Sequence, residues 1–205
     1  MQIRMFIKFI EKWIFNGKIY KPKNKTNFMG KLIIPKTYIK NIDAPLIFLA
    51  GPIKSAPNWH ERAIKILFSL KKDLIIASPK KEINDNLKKY LIINNENYFS
   101  RQRAWERHYL EIASKKGVIL FWLPKEENHN CDKVYGAMTR VELGQWMTNY
   151  KHNENVNFCV GTDGKFSEIG TIIYDLSLDA PKKYIQTTLE NTCIEALNLI
   201  ETSKI

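Results

Sequence analysis

Two glutamates in the middle of the chain lie in contexts that suggest nucleophilic or acid–base chemistry. Glu142 belongs to residues 139–144 (TRVELG), and Glu106 belongs to residues 102–106 (QRAWE). A carboxylate can act as a nucleophile that forms a covalent intermediate, which divides one difficult step into two easier ones. Gly144, two residues after Glu142, would let a ligand approach the backbone closely. If Glu106 turns inward, it becomes a second acidic group near Glu142.

Both glutamates also have ordinary structural interpretations. Thr139 is a good helix N-cap residue, and Glu142 follows it at the spacing of a capping box. Glu106 suits a solvated helix position, paired with Arg103 or Arg107. Spacing alone leaves these alternatives open.

The elements that must position these residues alternate between short strands and helices. The first four predicted strands are continuous apolar runs, as expected when both faces of a sheet are covered. The predicted strands are 46–50, 74–77, 118–122, 156–160 and, more weakly, 184–186. The predicted helices are 58–70, 99–114, 139–148, 167–176 and 189–201. This alternation predicts an α/β, flavodoxin-like or Rossmann-like fold, a five-stranded parallel sheet in the order 2-1-3-4-5 with helices on both faces.

Ligands of such sheets bind beside the carboxyl ends of the strands. Gly51 and Pro52 follow the first strand directly, so we expect this turn to border the site. The glycine pattern of a dinucleotide site is absent, and no cofactor is expected. Lys54, Lys80 and Lys81 follow the first two strands and could contact a phosphate, although most such lysines are simply solvated.

The positive charge of the chain is concentrated at its start. Residues 1–40 account for +9 of the net +11, so residues 41–205 are nearly neutral and no specific nucleic-acid binding is expected. We therefore divide the chain into a basic extension, 1–40, and a folded domain, 41–205. Residues 2–15 have the pattern of an amphipathic helix, and 18–31 that of a basic linker. The helix could dock on a membrane surface or a partner, or pack on its own domain or a second subunit.

Cysteine and histidine usage gives no metal site. The three cysteines are widely spaced without a CxxC pair, which is typical of reduced thiols in a cytoplasmic protein. His129 and Cys131 lie close together, but two ligands without a second pair do not make a zinc site. His60 and His108 lie on predicted helices, where they could carry protons or simply be packed or solvated.

Four motifs together resemble the nucleoside 2-deoxyribosyltransferase-like family. They occur in that family's order and at about its spacing, over roughly residues 44–200. They are 48–53 (FLAGPI) followed by Trp59, Gln102 with 105–106 (WE) and Leu110, 119–124 (ILFWLP), and 139–146 (TRVELGQW). The resemblance implies a flavodoxin-like fold and a double-displacement reaction in which Glu142 attacks the anomeric carbon of a nucleoside. Phe48, Trp59 and Trp122 are then candidates for lining or backing the base pocket.

The resemblance is compatible with several alternative functions. Transfer to a second base, hydrolysis by water, and N-glycoside cleavage of a nucleoside 5′-monophosphate all fit it. Many members place an aspartate six residues before the nucleophile, where this chain has Gly136. An inactive nucleotide-binding sensor is therefore a further hypothesis. Relatives often complete the pocket with a neighbouring subunit, so a homo-oligomer is expected.

Overall fold

A computed structural model describes residues 14–15, 18–19, 30–93, 98–129 and 131–202. Residues 2–13 of the predicted amphipathic helix lie outside these ranges. Its last two residues form the strand β1 (Ile14–Phe15), which pairs antiparallel with β2 (Lys18–Ile19). The predicted helix therefore does not extend to residue 15.

A single six-stranded sheet organises the rest of the described chain, and all of its strand pairs are parallel. Its strands are β3 (Lys31–Ile33), β4 (Leu46–Ala50), β5 (Ile75–Ala77), β6 (Gly117–Leu123), β7 (Phe158–Thr162) and β8 (Ile185–Gln186). Their spatial order is β3-β5-β4-β6-β7-β8. Every residue of β4, β5, β6 and β7 is buried, which explains their continuous apolar sequences.

Helices cover both faces of this sheet. They are α1 (Trp59–Leu70), α2 (Asp85–Lys88), α3 (Gln102–Lys116), α4 (Ala137–His152), α5 (Ile169–Asp179) and α6 (Leu189–Thr202). Alternate strand residues point to opposite faces and so enter two separate cores. Phe48 packs with residues of α3, α4 and α5, whereas Ile47 and Leu49 pack with residues of α1 and α6. The chain is thus a three-layer, Rossmann-like α/β protein.

The prediction of five strands was wrong, because β3 adds a sixth strand beside β5. Residues 31–40 had been assigned to the basic extension, yet they contribute this strand and further contacts to the domain. The Thr37 carbonyl accepts hydrogen bonds from Trp105 Nε1 at 3.0 Å and from the Tyr109 hydroxyl at 3.2 Å. The predicted boundary at residue 40 therefore falls inside the folded unit. A strand of three residues that begins with a lysine has too little apolar pattern to be recognised.

The start of α4 also differs from the prediction. Gly136 is the N-cap, in the left-handed conformation with φ of 64°, and its carbonyl accepts from the Arg140 amide at 3.0 Å. Thr139 is the third residue of the helix rather than its cap. The predicted capping box is therefore absent, and Glu142 lies in the second turn. The sequence concealed this because a glycine cap leaves no side-chain signal.

No helix in the described part of the chain is both long and apolar enough to cross a bilayer.

Candidate functional site

Glu142 is held between two helices. It projects from the second turn of α4 and is only 7% exposed. Arg103 Nη1, in the first turn of α3, donates a hydrogen bond to Glu142 Oε1. A charged carboxylate in so buried a position requires such a partner, because desolvation strongly disfavours an unpaired charge.

Glu106 belongs to the same cluster. Arg103 Nη1 also donates to Glu106 Oε2 at 3.3 Å, so a single guanidinium nitrogen joins the two carboxylates. Gln102 Nε2 donates to Glu106 Oε1 at 2.9 Å and to the Pro79 carbonyl at 3.3 Å. Gln102 thereby ties the glutamate to the loop that follows β5. Of the two alternatives left open by the sequence, Glu106 lies beside Glu142 and also pairs with Arg103.

Burial is the main influence on the electrostatics of Glu142. It raises the pKa of this carboxyl above its ordinary value, and the neighbouring charge of Glu106 acts in the same direction. The hydrogen bond and charge of Arg103 oppose the rise. Burial alone would lower the pKa of Arg103, but its bonds to Glu142 and Glu106 outweigh that effect and raise it. Glu142 is thus a desolvated carboxylate that one permanent cation keeps in place.

A cavity of about 360 Å³ opens beside these groups at the carboxyl edge of the sheet. Its wall is formed by the end of β4, the loops that follow β4, β5 and β6, and the start of α4. Predicted site residues that line it are Gly51, Pro52, Glu106, Thr139 and Glu142. The rule that ligands bind at the carboxyl ends of parallel strands therefore located this cavity correctly.

Two predicted pocket aromatics do not line this cavity. Trp59 is 1% exposed and Trp122 is 6% exposed, and both pack in the core between the sheet and the α1/α6 layer. Trp59 instead supports the cavity wall from behind, since its Nε1 donates to the Pro52 carbonyl at 2.9 Å. A Cβ on Gly51 would lie 2.6 Å from the Trp59 ring and 2.4 Å from the Trp122 carbonyl oxygen. Close packing therefore requires glycine at position 51. Phe48, in contrast, does line the cavity.

Gly144 does not border the cavity either. It lies farther along α4, in a groove shared with α5, and a Cβ at this position would meet no atom within 4 Å. Its absent side chain thus makes no room for a ligand beside Glu142. The prediction failed because Gly144 and Glu142, two positions apart on a helix, face different directions.

Several residues of the site were not predicted from the sequence, among them Arg103, Tyr135 and Lys133. Arg103 was foreseen only as a partner of Glu106, because its bond to Glu142 spans 39 positions and leaves no local pattern. Tyr135 lines the cavity and donates through its hydroxyl to the Pro124 carbonyl at 3.0 Å, fixing the loop before α4. Burial raises the pKa of this phenol, so it stays neutral. Lys133 adds a cation to the cavity wall.

The predicted phosphate contacts Lys54 and Lys80 differ in position, and His60 is buried in the core. Lys54 lines the cavity, whereas Lys80 bonds Asn58 Oδ1 at 2.7 Å and Glu61 Oε1 at 3.3 Å away from it. His60 is 1% exposed and packs on Trp59, and burial, followed by the charge of Lys80, lowers its pKa to about 3. This ring stays neutral at physiological pH and is not a proton carrier there.

The described residues contain no cluster of side chains suited to a metal ion.

Known proteins give no further guide to this site. No protein-family model matches the chain, and no curated protein sequence matches it. Function must therefore be inferred from the buried Arg103–Glu142 pair and the cavity beside it.

Proposed function

We propose that the chain is an enzyme that cleaves the N-glycosidic bond of a nucleoside or nucleotide, with Glu142 as its nucleophile. The observation that supports this most directly is the position of Glu142. It is a buried carboxylate with a fixed orientation that lines a ligand-sized cavity at the carboxyl edge of a parallel sheet. The resemblance to nucleoside 2-deoxyribosyltransferase-like proteins supplies the substrate class.

The reaction proceeds in two displacements. A carboxylate oxygen of Glu142 attacks the anomeric carbon, the C–N bond breaks, and its electron pair passes to the departing base, which takes up a proton. The product is a glycosyl ester of Glu142. A water oxygen or the nitrogen of a second base then attacks the anomeric carbon, releases the carboxylate and loses a proton. Because Arg103 holds Oε1, we assign the attack to Oε2.

Glu106 suits a binding role better than an acid role. It accepts hydrogen bonds from both Gln102 and Arg103, which fix the orientation of its side chain. A carboxylate oriented in this way next to the nucleophile can accept a hydrogen bond from a sugar hydroxyl. We propose that Glu106 orients the sugar so that its anomeric carbon faces Glu142.

The cavity is of suitable size for this substrate class. Small-molecule sites measure roughly 300–1,000 Å³, and about 360 Å³ lies at the lower end of that range. Lys54 and Lys133 on its wall could pair with a 5′-phosphate, which favours a nucleoside 5′-monophosphate as one form of the substrate. Transfer and hydrolysis differ only in whether the second displacement uses a base or water.

A second candidate function is nucleotide sensing without turnover. The observation that favours it is the Arg103–Glu142 bond, which engages the nucleophile directly. In addition, Gly136 occupies the place of an aspartate found in many similar proteins. A sensor would bind nucleotide in the same cavity and release no base.

Incubation with a panel of nucleosides and 5′-monophosphates, with and without an acceptor base, separates these functions by chromatography of the products. We expect free base or a new nucleoside from the wild type, and a loss of about a thousandfold or more in Glu142→Gln. The matched control is Glu190→Gln, an exposed glutamate in the first turn of α6. Equal turnover by Glu142→Gln would refute the nucleophile assignment, and binding without any product would favour the sensor.

A further inference from the structure

A second cavity, of about 330 Å³, lies between α3 and α4. Arg103, Arg107 and Glu111 are spaced four residues apart, so they form one stripe along α3. The facing wall on α4 contains Gln145 and Trp146. None of these five except Arg103 belongs to the site around Glu142, so this is a distinct space that shares one residue with it.

The cavity contains a buried donor that has no protein acceptor. Trp146 is 3% exposed, and its Nε1 is a buried atom with no hydrogen-bond partner among the described residues. An indole N–H can only donate, and a buried donor without an acceptor is unfavourable. Because Trp146 lines this cavity, an acceptor bound there is a candidate partner for its N–H.

His108 adds a second buried nitrogen to the same wall. Its Nε2 has no partner in the described part of the chain. The ring is held among aromatic side chains, with Phe99 at 5.2 Å and Tyr109 at 4.9 Å between ring centroids. Burial lowers the pKa of His108, so at neutral pH the imidazole can place its single N–H on either nitrogen.

The positive charge of the second cavity favours an anion as the acceptor. Two arginines, Arg103 and Arg107, line the same cavity as Trp146. The acidic member, Glu111, is largely exposed and already forms an ion pair with Lys115 at 2.5 Å. Guanidinium groups bind planar or tetrahedral oxyanions through paired hydrogen bonds, and such bonds are stronger than neutral ones.

We propose that this cavity binds a small oxyanion, a phosphate or carboxylate group, through Trp146 Nε1 and the Arg107 guanidinium, and that the bound anion competes with Glu142 for Arg103. The competition follows from the position of Arg103, which lines the second cavity while it donates to Glu142. An anion in the second cavity thus changes how firmly the carboxylate of the first site is held. Binding is independent of turnover, so it stands even if the proposed reaction does not.

Indole ¹⁵N–¹H spectra of the full-length protein test binding directly, with inorganic phosphate and acetate as probes. The Trp146 resonance, identified by its loss in Trp146→Phe, should shift and saturate with one or both anions. Arg107→Gln should weaken that binding about tenfold, whereas Lys116→Gln should leave it unchanged. Lys116 is the control because it lies on the same helix, is exposed and does not line the cavity. A Trp146 resonance that neither anion shifts, or equal affinity in Arg107→Gln, overturns the proposal.

Competition for Arg103 has its own measurement. The pKa of Glu142, followed by ¹³C-carboxyl chemical shifts, should rise when the second cavity is saturated, because Arg103 no longer stabilises the carboxylate fully. An unchanged pKa at saturation refutes the coupling. Sedimentation of the same samples distinguishes another occupant: if the wild type binds neither anion and Arg107→Gln changes the number of subunits, the cavity is a contact between two copies and the anion site is refuted.

Discussion

Arg103 in the first turn of α3 and Glu142 in the second turn of α4 are joined by a hydrogen bond between a partly exposed guanidinium and a buried carboxylate. Because the two residues stand on different helices, the bond fixes where the carboxylate lies relative to the cavity. It also makes Glu142 dependent on a residue that contacts Glu106 as well. One cation therefore contacts both acidic groups and helps to fix their orientation.

Replacement of Arg103 by Met should weaken both folding and activity. The variant leaves Glu142 buried without its donor, and hydrogen bonds to charged groups contribute about 1.5–3 kcal/mol. Since the Arg103 side chain is 35% exposed, we expect a loss near the lower end, about 1–2 kcal/mol, in urea unfolding. Arg107→Met, four residues along α3, is the control and should change the unfolding free energy by less than about 0.5 kcal/mol. Equal stability of the two variants would mean that Arg103 does not support Glu142.

The dependence of the unfolding free energy on pH should show that burial disfavours the ionised form of Glu142. Burial raises the pKa of this carboxyl in the folded protein above its unfolded value of about 4.5, so folding favours the protonated form. Its contribution to stability is present below pH 4.5 and is lost as pH rises through the folded pKa. Glu142→Gln has no such titration. The unfolding free energy of the wild type relative to this variant should therefore fall between pH 4 and pH 7, as measured by urea unfolding at several pH values.

If the unfolding free energy of the wild type instead rose relative to Glu142→Gln between pH 4 and pH 7, the effect of Arg103 on the pKa of Glu142 would outweigh the effect of burial. The control is Glu190→Gln, in which an exposed carboxyl is replaced. Its stability relative to the wild type should stay nearly constant from pH 4 to pH 7.

Local patterns in the sequence predicted the site's location but not its contacts. The apolar runs of β4 and β6 predicted central parallel strands, and the turn at Gly51 and Pro52 followed from the end of β4. The bond between Arg103 and Glu142 could not be predicted, because it depends on how α3 and α4 pack. Trp122 does not line the cavity for a related reason: an apolar run buried on both faces does not reveal which face borders the cavity. Trp59 lies behind the cavity wall, which is one of the two roles that the sequence left open for it.

Gly136 and Gly144 should respond oppositely to replacement by alanine. Gly136 has φ of 64°, and a Cβ there would lie 2.7 Å from the Phe166 ring, so Gly136→Ala should cost about 1–3 kcal/mol. Gly144 is inside α4 with open space around it, so Gly144→Ala should add about 0.5–1 kcal/mol through its better helix propensity. Thermal unfolding of both variants tests this pair. If Gly144→Ala abolished nucleoside cleavage, Gly144 would border the substrate after all.

An aspartate at position 136, as the resemblance to nucleoside 2-deoxyribosyltransferase-like proteins would lead us to expect, should not fit this chain. Gly136→Asp meets the same ring and the same left-handed backbone as Gly136→Ala, although aspartate tolerates that backbone better than most residues. We expect it to lower the unfolding free energy and to give no gain in nucleoside cleavage, as measured by the product assay. Increased turnover with unchanged stability would show that the loop before α4 readily adopts another conformation.

Trp59→Phe should alter substrate binding from outside the cavity. The indole Nε1 donates to the Pro52 carbonyl at 2.9 Å, and the ring packs against Gly51, so it fixes the turn that forms one wall. Phenylalanine keeps most of the apolar contact but cannot donate, which leaves the Pro52 carbonyl without this bond. We expect KM to rise severalfold while kcat changes little, because Glu142 and Arg103 are on other elements. Trp105→Phe is the matched control, since it also loses a buried indole bond, the one to the Thr37 carbonyl at 3.0 Å, but packs in the core on the other face of the sheet. If both variants raise KM equally, the effect reflects general loss of stability; if only kcat falls in Trp59→Phe, the turn positions the reacting groups rather than the substrate.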